Sequence, residues 1–90
     1  MEKEHFFISG IVQGVGFRWY VQRIAKSLNL TGWVKNLPDG RVEVLVEGEK
    51  GEIESFVKKL KEGYLGRNIK EIQRFKEKGE KSYNDFSIVF

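Results

Sequence analysis

Two helical stripes and five strand-like runs hold most of the apolar residues of this 90-residue chain. Residues 4–12, Glu-His-Phe-Phe-Ile-Ser-Gly-Ile-Val, are dense in aromatic and β-branched side chains and predict a first strand. From Phe17 the period lengthens. Phe17, Val21, Ile24, Ala25 and Leu28 recur at three- and four-residue spacing, which places them on one face of a helix of about three turns. Asn29, tolerant of left-handed backbone, predicts its end. Thr31 to Leu37 reads as a second strand, and Leu37-Pro38-Asp39-Gly40 as a tight turn, with Pro fixing φ and Gly closing the bend. Arg41 to Glu47 then sets Val42, Val44 and Val46 against Arg41, Glu43 and Glu47, with Leu45 out of pattern, as in a half-buried antiparallel strand.

Gly48 and Gly51 bracket the start of a second helix, whose stripe is Ile53, Phe56, Val57, Leu60 and Tyr64; Gly63 and Gly66 mark its end. Asn68 to Lys76 predicts an irregular, bulged strand, and Phe86 to Phe90 a short last one. The order is β-α-β-β-α-β with a small extra strand. It predicts an α+β, ferredoxin-like sandwich: an antiparallel sheet with both helices on one face and right-handed crossovers.

Length allows a single domain over residues 1–90 with one modest core. The absence of cysteine excludes disulfides, thiol catalysis and thiolate-bound zinc, and a lone histidine excludes a His-rich metal site within one chain. The longest apolar stretches fall far short of the roughly 18–20 residues that span a bilayer, and Met-Glu-Lys-Glu-His is not a signal sequence. A soluble, cytoplasmic, metal-free monomer is expected. The net charge of +3 is spread among acidic residues without a basic block; that suits a small anion better than a nucleic acid.

The chemistry concentrates at Gln13-Gly14-Val15-Gly16-Phe17-Arg18, where the first strand passes into the first helix. Glycine permits φ > 0 and close approach of a ligand to the main chain, so several N–H groups can converge there. No Ser, Thr, Asp or Asn stands where it would cap the helix, which leaves the first-turn N–H groups and the positive end of the helix dipole unclaimed. Arg18 adds a guanidinium able to grip two oxygens. An anion of phosphate size fits this hollow. In the predicted topology the first two strands run the same way, with the third between them. Asn36, closing the second strand, therefore comes to the same sheet edge at two inter-strand spacings, about 10 Å. A phosphate and an attacking water fill that distance.

Such a set contains no acid, base or nucleophile. It suffices only where the leaving group departs unaided, as a carboxylate does from an acyl phosphate: its conjugate acid titrates at about 4. Catalysis then reduces to gripping the phosphoryl oxygens and aiming a water in line. Alkyl phosphate esters, with poor leaving groups, should be bad substrates.

Gly10-x-Val12-Gln13-Gly14-Val15-x-Phe17-Arg18, followed by Gly32-Trp33-Val34-x-Asn36-x-x-Asp39-Gly40-x-Val42-Glu43, resembles the signature stretches of the acylphosphatases, and the likeness runs over essentially the whole chain. The resemblance implies cofactor-free hydrolysis of acyl phosphates to a carboxylate and inorganic phosphate. It implies that Arg18 binds the phosphoryl group, that Asn36 orients the water, and that amides from Gln13 to Phe17 share the phosphate. Inorganic phosphate, the product, is then an expected competitive inhibitor.

Each residue also has a plainer reading. Two glycines alone more often make a turn, Arg18 alone a solvated helix residue, and Asn36 alone an Asx-type bond before Pro38. Trp19 and Trp33 are expected to pack, and His5, at the opposite sheet edge, to be structural or exposed. A non-catalytic anion-binding module is the alternative. An RNA-binding module of the same fold is a further one, but it needs exposed aromatics on the central strands where this chain offers Arg41, Glu43, Leu45 and Glu47.

Overall fold

A computed structural model describes residues 1–90. The elements are strand β1 (Glu2–Gly10), helix α1 (Phe17–Ser27), strands β2 (Thr31–Asn36) and β3 (Val42–Gly48), helix α2 (Lys50–Glu62), a 3-10 turn (Gly66–Asn68) and strands β4 (Ile69–Glu77) and β5 (Phe86–Val89). They form one sheet in the order β4-β1-β3-β2-β5. The ferredoxin-like sandwich expected from the pattern is present. Four strands pair antiparallel as expected, while β5 adds parallel to β2, so the sheet is mixed at that edge.

Alternation along the strands decides the faces. Phe6 and Ile8 of β1, Val34 of β2, and Val42, Val44 and Val46 of β3 point to the side covered by the helices and are fully buried. Phe17, Tyr20, Val21 and Ala25 of α1 and Ile53, Phe56, Val57 and Leu60 of α2 close the core from above. Burying such side chains stabilises the fold by about 1.5–3 kcal/mol each. Tyr20, outside the expected stripe, joins the helices through its hydroxyl, which donates to the Leu60 carbonyl at 2.7 Å. Asn29 is left-handed, with φ of 57°, as its place after α1 requires.

Two expectations fail for identifiable reasons. The stripe of α2 does not reach Tyr64: backbone at Gly63 turns extended (φ −74°, ψ 179°), so Tyr64 swings out to 63% exposure and Leu65 enters the core instead. The outer face of β3 is not open either. Residues 78–85 fold back across it, and Leu45 and Glu47 are buried. The Glu47 carboxylate holds the crossing segment by accepting from the Ser82 and Tyr83 N–H groups at 2.8 and 3.1 Å. It also accepts from the Thr31 hydroxyl at 2.9 Å and lies 3.1 Å from the Lys3 ammonium. At the β4 edge, Arg74 grips the buried Glu4 with two nitrogens and reaches Glu54 of α2 with a second pair of contacts, tying sheet to helix. His5 lies half-buried on the outer face between Glu43 and Glu77, a structural place as expected.

Candidate active site

The segment between β1 and α1 carries two left-handed glycines, Gly14 at φ 77° and Gly16 at φ 79°, and neither position has room filled by a neighbour. Gly16 is the N-cap of α1 and offers no side chain to cap it. The first helical hydrogen bond is Tyr20 N–H to the Gly16 carbonyl at 3.1 Å, and no backbone bond outside the regular elements has its donor between Val12 and Trp19. The loop amides and the first-turn amides of α1 thus keep their N–H groups free. With no carboxylate in the first turn, the helix dipole is also uncompensated there.

Asn36 arrives from the other side of β3. Ile8 and Asn36 are both registered opposite Val42, so Asn36 sits two strands from the end of β1. It shares the parity of Val34 and therefore faces the helix side, where α1 begins. Gly14, Gly16, Arg18 and Asn36 line a single hollow of about 190 Å³. Buried Val12 and Phe17, together with Ile88, supply its apolar lining, while the exposed Trp19 and Phe90 stand at its mouth. The Asn36 carboxamide oxygen is buried and has no hydrogen-bond partner. A buried oxygen without a partner costs roughly 1–3 kcal/mol, a cost native folds seldom carry without a use for the group.

Arg18 is half-buried. One nitrogen donates to the Val89 carbonyl at 3.4 Å and the guanidinium carbon lies 4.8 Å from the centre of the Phe90 ring. Gln13 and Val15, expected to contribute through their amides, do not line the hollow. The Gln13 side chain turns the other way and donates to the carbonyls of Leu37 and Arg41 at 2.7 and 2.9 Å. Val15 is 39% exposed. Trp19, expected to pack, is 51% exposed. Ile88 and Phe90 were not foreseen as site residues; only the parallel addition of β5, which sets Ile88 opposite Val34, brings them there.

Chemically the hollow joins unclaimed N–H donors and a permanent cation to a neutral carboxamide, with no group of His, Cys, Asp or Glu side chains suited to hold a metal ion. Donors and positive charge thus stand beside a polar neighbour on a small α+β frame. The chain belongs to the acylphosphatase family: the family's model matches residues 4–88. An acylphosphatase of Bacillus subtilis (strain 168) is 40% identical over 90 residues, spanning the whole of this chain and 99% of that one. Among solved structures, an acylphosphatase from Bacillus subtilis superposes with a TM-score of 0.93 at 40% identity, covering all of both chains. An acylphosphatase from Coxiella burnetii gives 0.88 at 38% identity, covering 98% of this chain and 92% of that one. No helix is long and apolar enough to cross a membrane.

Proposed function

We propose that this chain is a cofactor-independent hydrolase of acyl phosphates, working in the cytoplasm as a monomer. Water attacks phosphorus as the bond from phosphorus to the carboxyl oxygen breaks. The bonding pair leaves with the carboxylate, and the water's proton ends on phosphate or solvent. Arg18 grips two phosphoryl oxygens, and the amides of Gly14, Gly16 and Phe17 take the rest. These donors act on charge that spreads over the phosphoryl oxygens in the transition state, where they count for most. The Asn36 carboxamide orients the water in line by hydrogen bonding and needs no proton of its own.

The observation that carries this reading is that Asn36 lines the same hollow as Arg18 and the glycine loop. Family membership supports the substrate class, and so does the lack of any acid to assist a poorer leaving group.

The test is hydrolysis of benzoyl phosphate, with and without EDTA, by the wild type and by Asn36→Ala. Wild-type turnover indifferent to chelation is expected, with a loss of about a thousandfold in the folded variant. Near-normal rates in Asn36→Ala would remove the asparagine from the mechanism.

A further inference from the structure

A second cavity adjoins the phosphate hollow at a single residue. Trp19, the residue after Arg18, lines both. Beyond it a groove of about 460 Å³ runs between α1 and the end of α2, with Trp19, Arg23 and Ser27 on one wall and Lys59, Glu62 and Tyr64 on the other. That volume lies within the roughly 300–1,000 Å³ typical of small-molecule sites. Two large aromatics face it half-open, Trp19 at 51% and Tyr64 at 63% exposure. Exposing rings of this size forgoes the hydrophobic stabilisation that burial would bring.

The groove's walls are held in place. Arg23, one helical turn on from Trp19, sets its guanidinium 4.5 Å from the indole centre. Tyr64 stands edge-on to Tyr20 with ring centres 5.3 Å apart, and Tyr20 is anchored to the Leu60 carbonyl. The wall residues from Trp19 to Ser27 span two turns of α1, about 12 Å, enough to lie along an acyl group of ring size or longer.

The phosphoryl end of an acyl phosphate fills the hollow, so the acyl end must emerge at its mouth. Trp19 stands there and also lines the groove. We propose that the groove receives the acyl part of the substrate. Contact with the open indole makes the enzyme favour acyl phosphates with a planar aromatic acyl group over short aliphatic ones. This rests on the acyl phosphate reading given above.

Benzoyl phosphate and acetyl phosphate test it. Both release carboxylates of ordinary basicity, so the ratio of their kcat/KM values reads contacts to the acyl group and not leaving ability. The wild type is expected to favour benzoyl phosphate at least tenfold, mainly through KM. Trp19→Ala should cut that ratio about tenfold, while Trp19→Phe, which keeps a ring, should retain most of it. A Trp19 that merely supports the loop would lower both substrates together and leave the ratio alone. A wild type that hydrolyses both compounds, with a ratio unmoved by Trp19→Ala, would overturn the groove assignment and leave the acyl phosphate reading standing. Hydrolysis of neither would overturn that reading itself.

Discussion

The side-chain amide of Gln13 donates to the carbonyl of Leu37 at 2.7 Å and, with the same nitrogen, to that of Arg41 at 2.9 Å. It clasps the glycine loop to the turn that follows Asn36, and so fixes the distance between the loop amides and the carboxamide across from them. The sequence predicts that Gln13 acts through its main chain; the structure shows its side chain tying the loop to the turn.

Gln13→Ala frees the loop from the β2–β3 turn and removes the second donor from each carbonyl, Leu37 keeping the Gly40 N–H and Arg41 keeping the Leu37 N–H. We expect a loss of about 0.5–1.5 kcal/mol in stability, read from urea unfolding. A drop of about tenfold in kcat for benzoyl phosphate should accompany it, because small displacements of positioning groups cost rate steeply. A variant as stable and as fast as the wild type would show that the clasp holds nothing of consequence.

Inorganic phosphate offers the same tetrahedral oxygens as the substrate. It should bind in the hollow at millimolar concentration and compete with benzoyl phosphate. Arg18→Lys keeps the positive charge but loses the planar fork, so titration calorimetry should show phosphate binding weakened about tenfold. Calorimetry reads this even where turnover is lost. Equal affinity in the two proteins would mean that Arg18 does not grip the anion.

Glu47 should make the fold sensitive to acid. Burial by itself pushes this carboxyl upward, but the N–H groups of Ser82 and Tyr83, the Thr31 hydroxyl and the Lys3 ammonium together outweigh it and hold the carboxyl below its ordinary value. A carboxyl held low in the folded state stabilises it above the ordinary carboxylate value of about 4, and that contribution is lost as pH falls through the folded-state value. Asp39, held low by the Arg41 backbone N–H and side chain, and Glu54, by the Arg74 guanidinium, act in the same direction at the surface. The urea midpoint of the wild type is therefore expected to fall between about pH 5 and pH 2. Glu47→Gln should start lower and fall less steeply. Parallel curves for the two proteins would contradict the assignment.

The helices were legible because burial repeats along one face, and the placing of β3 between β1 and β2 followed from the order of the elements. Those two facts alone bring Arg18 and Asn36 together, since topology fixes which strand ends share an edge. What escaped was whatever depends on a segment with no periodicity. Nothing in Glu47 announced that residues 78–85 would cross it, and nothing in Phe86–Val89 said which edge it would join. Tyr64 kept helical spacing after the backbone had left the helix at Gly63. Gln13 looked like one amide among several because its partners lie 24 and 28 positions away.

The lining of the hollow is drawn from residues 12–19, from Asn36 and from residues 88–90. Loop closures that bring such remote stretches together are the slow events of folding. During renaturation, catalytic competence will therefore return only after the distant parts of the chain have met, later than the helical signal of α1 and α2. The enzyme's own turnover is thus a clock for its last long-range contact.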